Sequence, residues 1–267
     1  MGYWQDKVVL VTGGADGLGR VIAESFAAAG AKVAIAALEP DRVEDAARQM
    51  AQCGYDVLGV QADITQQADV DRMLDCTLSQ FGRLDVLVNN AGRSDRARVI
   101  DTTAEQFSRL MELNFLGAVR CTRGAIGELL KRRGHVVNIG SLAAKIASRW
   151  VGAYPASKFA LAAYCQQLRL ELGPEGLHVL LVCPGPIARK QPRLYPIDQT
   201  EDVPERARRP GAGVRLPLVE PERLAAAILR ACEKRKAELV MPWRAKILFA
   251  IAALWPRLGD RIVLWVT

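Results

Sequence analysis

Short, continuous runs of valine, isoleucine, leucine and alanine alternate along the chain with longer stretches whose apolar residues recur every three to four positions. Continuous apolar runs are typical of parallel strands buried on both faces, whereas the longer period indicates amphipathic helices. Seven strands are predicted, at residues 7–12, 32–37, 56–61, 84–88, 135–139, 177–183 and 238–241. Helices are predicted between them, at residues 21–29, 42–51, 68–81, 105–131 and 154–172.

This alternation of strand and helix predicts one fold class. Repeated β-α-β units form parallel sheets with right-handed crossovers, which place helices on both sides. We therefore predict an α/β protein with a single doubly wound, Rossmann-type domain, built on a seven-stranded parallel sheet with helices on both faces. Residues 1–242 are predicted to form this domain, and residues 243–267 follow it as an apolar and basic tail.

Residues 184–221 interrupt the pattern, because they follow the sixth strand and are rich in proline, glycine and arginine. A loop of this length in a compact domain is usually a lid or a binding loop. Ligands of open α/β sheets bind beyond the carboxyl ends of the strands. The segment is therefore predicted to close over a substrate.

The tail contains nine consecutive apolar residues, from Ile247 to Trp255. A bilayer takes about 20, so the run is too short to span one. Three tryptophans and four basic residues surround it, as in a helix that lies in a membrane interface. Two interpretations stay open: packing on the domain or on a partner subunit, and peripheral membrane contact through residues 243–267.

The composition narrows the class of protein. Half of the 267 residues are hydrophobic, which excludes a disordered chain. Six scattered cysteines and two histidines provide no spacing typical of a zinc site, and no metal is predicted. The first residues do not form a signal peptide, so we expect a cytoplasmic location and free thiols in or near the core.

The net charge of +7 raises the question of a nucleic-acid partner. Basic residues concentrate after the sixth strand, at Arg189, Lys190, Arg193, Arg206, Arg208, Arg209 and Arg215. Acidic residues are interleaved among them, at Asp198, Glu201, Asp202 and Glu205, and aromatic residues are few. A nucleic-acid groove needs a stripe of one charge together with stacking aromatics. We therefore predict no nucleic-acid partner and attribute the charge to a solvated surface and an anionic cofactor.

A glycine-rich segment, TGGADGLG at residues 12–19, lies directly between the first strand and the first helix. In this context Gly13 can form the tight turn, Gly17 lets the backbone approach a pyrophosphate, and Gly19 allows close packing of helix and sheet. The helix N-terminus then offers free N–H groups to the phosphates. The context of strand, turn and helix is the condition that confirms such a motif, so a dinucleotide site is predicted.

A second constellation consists of Ser141, Tyr154 and Lys158. Tyr154 and Lys158 are four residues apart and therefore share one helix face. An ammonium beside a phenol stabilises the phenolate, which makes tyrosine a usable general acid and base near neutral pH. Taken alone, Asp63 and the segment at residues 89–92 (NNAG) are turn residues.

Together and in this order, these motifs resemble the short-chain dehydrogenase/reductase family, over roughly residues 6–242. The resemblance implies a catalytic tetrad of Asn114, Ser141, Tyr154 and Lys158. In that family the tyrosine exchanges a proton with the substrate oxygen, and the lysine assists it and holds the nicotinamide ribose. The serine orients the carbonyl group, and the asparagine holds a water molecule in the proton relay.

The resemblance also implies NAD(P) as the cofactor, which supplies the hydride. The residues expected to bind it are Thr12, Gly13, Asp16, Gly17, Leu18, Gly19, Leu38, Asp63, Ile64, Asn90, Ala91, Gly92, Tyr154, Lys158, Pro184, Gly185 and Ile187. Asp63 is the expected contact of the adenine. One departure is Arg189, which stands where the family usually places a threonine on the nicotinamide carboxamide.

The choice between NAD and NADP depends on the end of the second strand. An acidic residue at position 37 would select NAD and a basic residue at position 38 would select NADP, but this chain has Ala37 and Leu38. Nearby charges point both ways, with Arg20 and Arg42 favouring a phosphate and Asp16 and Glu39 opposing it. Because the excluding carboxylate is absent, NADP is slightly favoured over NAD.

The predicted function is an NAD(P)-dependent oxidoreductase that interconverts an alcohol and a carbonyl, with Tyr154 as general acid and base. A membrane-contacting tail would suggest an apolar small-molecule substrate. By analogy with the family, a homodimer or homotetramer is expected through the helices that carry Asn114 and Tyr154. The alternative is a non-catalytic dinucleotide-sensing or scaffold protein with the same fold.

Overall fold

A computed structural model describes residues 2–189, 203–214 and 216–267. Within these residues one parallel sheet of seven strands forms the centre, in the order β3-β2-β1-β4-β5-β6-β7. The strands are β1 (Val8–Thr12), β2 (Lys32–Ala37), β3 (Val57–Gln61), β4 (Val86–Asn89), β5 (His135–Ile139), β6 (His178–Pro184) and β7 (Glu238–Met241). The predicted Rossmann-type architecture is confirmed.

Helices cover both faces of this sheet. They are α1 (Gly17–Ala28), α2 (Pro40–Gln52), α3 (Gln67–Phe81), α4 (Ala104–Met111), α5 (Gly117–Lys131), α6 (Tyr154–Leu172), α7 (Pro221–Glu233), α8 (Ala245–Leu254) and α9 (Pro256–Val266). Successive residues of a strand point to opposite faces, so Val9 and Val11 of β1 pack in one apolar core with α1, α2 and α7. Val8 and Leu10 pack in the other, with α3, α5 and α6.

Residues 105–131, predicted as one helix, do not form a single regular helix. The structure divides them into α4 and α5, which are joined by a π-helical turn at Glu112–Leu116. Such turns within α-helices are frequent at functional sites. Within this turn Asn114 is buried and its amide bonds to groups outside the helix. The apolar period continues through the turn, which is why the pattern alone predicted one helix.

The tail forms the helices α8 and α9, which pack against each other as a hairpin. Ala245 and Phe249 of α8 lie against the apolar core beside the sheet. In the part of the chain that is described, no helix is both long and apolar enough to cross a bilayer. The domain boundary at residue 242 stays a prediction.

The predicted substrate loop, residues 184–221, is described only in part. Two short 3₁₀ turns form within it, at Glu205–Arg208 and Pro210–Gly213. The charged residues Lys190, Arg193, Asp198, Glu201, Asp202 and Arg215 lie outside the described residues. The six cysteines are all described and all free, as expected, although Cys53 is exposed on the surface.

A chain of hydrogen bonds joins two buried histidines at the amino ends of β5 and β6. Nε2 of His178 lies 2.8 Å from the carbonyl oxygen of Lys236 and must donate to it. In a neutral ring Nδ1 is then an acceptor, so Nδ1 of His135 donates to it at 2.8 Å. The remaining nitrogen of His135 accepts from the Tyr3 hydroxyl at 3.0 Å. The two Nδ1 atoms share one proton in this chain, so the hydrogen bond between them is lost when both imidazoles are charged.

Acid is expected to destabilise the fold through this pair. Burial lowers the pKa of both imidazoles below the ordinary value of 6.5, and the neighbouring ring lowers the pKa of His135 further. The unfolded chain therefore binds more protons below pH 6.5, and the free energy of unfolding falls as the pH falls. The slope approaches about 1.4 kcal/mol per pH unit for each imidazole.

Urea unfolding at pH 7.5 and pH 5.0 measures this effect. The His178→Gln variant should lose less stability between the two values than the unaltered protein does, although it is less stable at pH 7.5. The same loss in both proteins would assign the acid sensitivity to other groups.

Candidate active site

A cavity of about 910 Å³ opens at the carboxyl ends of the strands. It lies where β1 and β4 are neighbours and the chain order reverses, which is the place where open α/β sheets bind ligands. The glycine-rich turn after β1 forms one end of the cavity. The loop after β6 and the hairpin of α8 and α9 form the other end.

The glycine-rich turn has the geometry of a phosphate cradle. Gly13 and Gly17 have positive φ angles, 63° and 55°, which residues with a side chain rarely adopt. A methyl group added at Gly17 would meet no protein atom within 4 Å, so the turn faces open space there. A methyl group added at Gly19 would instead overlap the carbonyl oxygen of Gly13 and the amide of Asn90. Gly19 therefore allows α1 to approach the turn.

Two predicted residues, Thr12 and Asn90, fix this turn to the neighbouring strand β4. The Thr12 hydroxyl accepts hydrogen bonds from the backbone N–H groups of Asn90 and Ala91, at 3.0 and 3.1 Å. The side-chain amide of Asn90 donates to the carbonyl oxygens of Thr12 and Gly13. Thr12 is fully buried and does not line the cavity. It acts by holding the loops after β1 and β4 together.

The part of the cavity beside the glycine-rich turn, at the ends of β2 and β3, is suited to an adenosine. Leu38, just after β2, exposes an apolar side chain there, and Asp63 and Ile64 lie opposite, after β3. The Oδ1 atom of Asp63 accepts two hydrogen bonds from Thr65, one from the backbone and one from the hydroxyl. This turn holds the carboxylate in one orientation.

Arg20, which the sequence offered as a phosphate ligand, is engaged elsewhere. Its Nε atom donates to Glu24 at 2.6 Å, and its Nη1 atom donates to the carbonyl oxygen of Ala46 at 2.8 Å. Arg42 lines the cavity. Within the described residues, Arg42 is therefore the better placed of the two arginines.

The tyrosine and the lysine of the predicted tetrad lie at the start of α6. Lys158 is only 5% exposed. Its Nζ atom lies 5.8 Å from the centre of the Tyr154 ring and donates a hydrogen bond of 2.8 Å to the carbonyl oxygen of Ile139. Burial lowers the pKa of Lys158 to about 8, so the ammonium persists at neutral pH. Ser141, just after β5, lines the same cavity.

Asn114 lies behind the cavity wall rather than on it. Its Nδ2 group donates to the carbonyl oxygen of Arg93 at 2.9 Å and to the hydroxyl of Ser157 at 3.0 Å. Its Oδ1 atom accepts from the Arg93 N–H at 2.9 Å. Both amide protons are thus used on the protein, and the side chain fixes the backbone around Gly92. Only Oδ1 retains the capacity to accept another hydrogen bond.

The other predicted cofactor residues are brought together on the cavity wall: Gly13, Asp16, Gly17, Leu18, Gly19, Leu38, Asp63, Ile64, Asn90, Ala91, Gly92, Tyr154, Lys158, Pro184, Gly185 and Ile187. Arg189 also lines the cavity, at its rim. The sequence did not indicate the apolar wall of the substrate end. This wall consists of Ile146, Val151, Pro210, Val214, Leu216, Leu248, Phe249, Val263 and Val266.

Arg96 belongs to none of the motifs found in the sequence. It connects the substrate loop with the segment that follows β4. Its guanidinium is buried, with 2% of the residue exposed. It donates to the carbonyl oxygen of Ala207 at 2.7 Å, to that of Asp95 at 2.8 Å and to the hydroxyl of Ser94 at 2.7 Å. One buried cation thus connects the segment after β4 with the turn at Glu205–Arg208.

The Arg96→Met variant keeps the side-chain volume and removes the hydrogen-bond donors. It should therefore weaken the connection between the segment after β4 and the substrate loop. Hydrogen bonds to charged groups stabilise by about 1.5–3 kcal/mol each, so we expect the KM for substrate to rise roughly 10-fold. Dinucleotide affinity should stay unchanged, because the groups to which Arg96 donates, on Ser94, Asp95 and Ala207, do not belong to the glycine-rich turn. Arg98→Met is the matched control, since Arg98 pairs with Asp101 near the surface. Equal KM values in the two variants would contradict this role.

Comparison with known proteins agrees with this geometry. Residues 7–192 match the family model described as short chain dehydrogenase. The chain belongs to this family. An uncharacterized oxidoreductase of Bacillus subtilis, YxnA, is 32% identical over 263 residues, which are 97% of this chain and 72% of the relative. The 11-beta-hydroxysteroid dehydrogenase-like 2 of Arabidopsis thaliana is 32% identical, over 96% of this chain and 80% of the relative.

Some relatives of this short-chain dehydrogenase are longer. The chain spans 44% of the length of the probable oxidoreductase EphD of Mycobacterium tuberculosis, with 31% identity. Among solved structures, a short chain dehydrogenase/reductase of Burkholderia phymatum in complex with NAD superposes with a TM-score of 0.82. That likeness covers 95% of this chain and 96% of the other, at 22% identity, and shows the shared fold. The family match and the oxidoreductase relatives show that the protein is an oxidoreductase, and the alternative of a non-catalytic scaffold is not supported.

Proposed function

We propose that this short-chain dehydrogenase interconverts an alcohol and a carbonyl group by NAD(P)-dependent hydride transfer, with Tyr154 as general acid and base. The observation that carries the proposal is the buried ammonium of Lys158 beside the Tyr154 ring, in one cavity with Ser141 and the glycine-rich turn. An enclosed ammonium favours the phenolate. Tyr154 therefore gives up a proton readily and takes it back at the substrate oxygen.

The residues present fit a nicotinamide dinucleotide. The turn at Gly17 faces open space at the N-terminus of α1, where backbone N–H groups bind phosphates. A side chain at Gly92 would fill the space between Asn114 and Lys158, since a methyl group there would lie 2.8 Å from Oδ1 and 3.7 Å from Nζ. This is the place where Lys158 would hold the nicotinamide ribose. When bound, the cofactor supplies or accepts the hydride.

The residues of the tetrad orient the substrate and transfer the proton. Ser141 offers a hydroxyl to the substrate oxygen, and the same hydroxyl oxygen accepts the Ala143 N–H at 3.1 Å, which fixes its position. Tyr154 donates the proton during reduction and accepts it during oxidation. Lys158 places a positive charge beside the phenol, and its pKa of about 8 keeps it charged at neutral pH. Asn114 acts through the backbone it positions, and its free acceptor site on Oδ1 is where a relay water would donate.

We propose that NADP is preferred over NAD. Ala37 provides no carboxylate that would exclude a 2′-phosphate, and Arg42 lines the cavity close to Leu38. Glu39 lies there too and opposes the phosphate, but the Asp16 carboxylate already accepts a hydrogen bond of 2.6 Å from the Gly17 N–H. The preference is therefore expected to be modest and to depend on Arg42.

Titration of the protein with NADH and NADPH, followed by nicotinamide fluorescence, tests the cofactor proposal. NADPH should bind more tightly, and Arg42→Met should weaken NADPH binding roughly 10-fold while NADH binding stays the same. Arg48→Met is the matched control, because Arg48 lies on the same helix and pairs with Asp45 outside the cavity. Tighter binding of NADH would reverse the preference, and binding of neither would contradict the proposed activity.

The substrate is proposed to be apolar. The wall around the substrate end is formed mainly by aliphatic and aromatic side chains from the loop after β6 and from the hairpin. Such walls bind ligands by burying apolar surface, and a few polar groups fix the orientation. The name of the Arabidopsis relative, which refers to a hydroxysteroid, is consistent with a substrate of this kind.

A cytoplasmic homodimer or homotetramer is the proposed assembly. The helices that carry the family's usual interface expose apolar side chains here, namely Leu116, Phe159 and Leu170. Light scattering on the purified protein measures the mass, and a monomer at micromolar concentration would contradict the proposal. We also propose that the tail at residues 243–267 contacts a membrane peripherally.

A further inference from the structure

The hairpin of α8 and α9 has two faces with different surroundings. Its inner face closes the substrate end of the cavity, through Leu248 and Phe249 of α8 and Val263 and Val266 of α9. The two helices approach closely because Gly259 lies against Ala252. Ala245 of α8 also lines the cavity, so the inner positions lie three or four residues from it in α8 and three residues apart in α9, as one face of a helix requires. The wall of the cavity is therefore one helix thick.

The outer face of the same hairpin is strongly apolar and exposed. Trp265 is 78% exposed and Leu254 is 68% exposed. The other large apolar side chains on this face are Trp243, Ile247, Trp255, Leu258 and Leu264. An exposed apolar surface of this extent on a soluble domain marks an interaction site. The three tryptophans also have an indole N–H, which suits the boundary between lipid and water.

The charge on this face is almost entirely positive. Lys246, Arg257 and Arg261 are exposed there, and Asp260 is the only carboxylate side chain of the hairpin, whereas Arg244 lines the cavity. Among the described residues none of the cations Lys246, Arg257 and Arg261 forms an ion pair. A second copy of the chain docked here across a two-fold axis would bring like charges together. An anionic lipid surface instead supplies phosphate groups for the cations and acyl chains for the apolar residues.

We propose that the outer face of the α8–α9 hairpin docks on an anionic membrane surface, with the substrate cavity directly behind it. The inference rests on the proposed function only in treating this end of the cavity as the substrate site. An interfacial helix sinks about 5–10 Å into the boundary between headgroups and acyl chains, and a helix with its side chains is about 10 Å across. Docking would thus place the cavity wall against the lipid, which would make lipid-dissolved alcohols and carbonyls the substrates within reach.

Co-sedimentation of the full chain with vesicles tests the docking. Vesicles of phosphatidylcholine with 30% phosphatidylglycerol should bind the protein at least 10-fold more tightly than vesicles of phosphatidylcholine alone. The Trp255→Ser/Trp265→Ser double variant should lose at least 10-fold in affinity for the anionic vesicles, and so should Arg257→Glu/Arg261→Glu. Val99→Ser/Ile100→Ser is the matched control, since it removes two comparably exposed apolar side chains that do not belong to the hairpin, and it should leave vesicle binding unchanged.

Two results would overturn the inference. One is equal partitioning of the unaltered protein and the tryptophan variant. The other is a tryptophan variant that dissociates into monomers in light scattering while the unaltered protein ignores vesicles, which would make this face a contact between subunits. The measurement uses no turnover, and NADPH binding by each variant reports that it is folded. Vesicle binding without any hydride transfer would therefore leave the docking in place and contradict the proposed function alone.

Discussion

Replacing Tyr154 with phenylalanine is expected to abolish hydride transfer while dinucleotide binding stays intact. Phenylalanine keeps the ring beside Lys158 and removes only the hydroxyl that exchanges a proton with the substrate. General acid–base catalysis contributes roughly 10²- to 10⁴-fold to a rate. Among the described residues that line the cavity, no second tyrosine could replace Tyr154. The kcat for oxidation or reduction should therefore fall by at least about 10²-fold, measured through nicotinamide absorbance.

Tyr164→Phe is the control for this change. Tyr164 lies on the same helix, α6, but its ring packs against Phe115 at 6.0 Å between centres and does not line the cavity. This variant should keep full activity. Retained turnover in Tyr154→Phe would assign the proton to another group. Loss of NADPH binding together with turnover would show that Tyr154 maintains the structure of the site instead.

Gly19→Ala is expected to have the second large effect, on dinucleotide affinity. The added methyl group would overlap the carbonyl oxygen of Gly13, which belongs to the turn that faces the phosphates, and the amide of Asn90, which holds that turn in place. Neither atom is the end of a long flexible side chain, so the turn itself must move. Overpacking of this kind costs about 1–3 kcal/mol, and we expect the Kd for NADPH to rise by roughly 10- to 100-fold.

A second glycine-to-alanine change separates this effect from a general effect of the substitution. Gly127 lies on the exposed face of α5, and a methyl group there would meet no atom within 4 Å. Gly127→Ala should leave NADPH affinity unchanged and raise the melting temperature, because alanine favours a helix. Unchanged affinity in Gly19→Ala would mean that the turn tolerates the displacement and that the phosphates bind elsewhere.

The sheet could be predicted from the sequence because its strands are buried on both faces. β1 reads as the continuous run VVLVT, every residue of which is buried, and no helical or half-exposed strand pattern competes with it. The glycine-rich turn could be predicted because its function depends on local backbone geometry. The positions of the glycines in the sequence indicate that geometry directly. The same holds for Tyr154 and Lys158, since four residues on a helix set their proximity.

The remaining parts of the site depend on contacts between residues distant in the sequence. Arg96 bonds to Ala207, which lies 111 residues later, and no local pattern distinguishes this arginine from the exposed ones around it. The inner face of α8 was hidden inside a run that is apolar on every side, so the pattern could not show which residues line the cavity. Thr12 and Asn114 were found through motifs, but their place behind the wall follows only from their hydrogen bonds.

The π-helical turn at Glu112–Leu116 has a consequence for the length of the chain. Such a turn gives up the regular ladder of helical hydrogen bonds over five residues, and deleting one residue there would restore it. The repaired helix would be the more stable secondary structure, and α5 would keep its orientation, because the π-helical turn takes up one residue more than an α-helical turn does. The deletion would remove only the local displacement that brings Asn114 to Arg93. Asn114 would then no longer hold Arg93 while α5 kept its packing. A regular helix would thus need one residue fewer than this chain has. The extra residue serves to position the side-chain amide of Asn114.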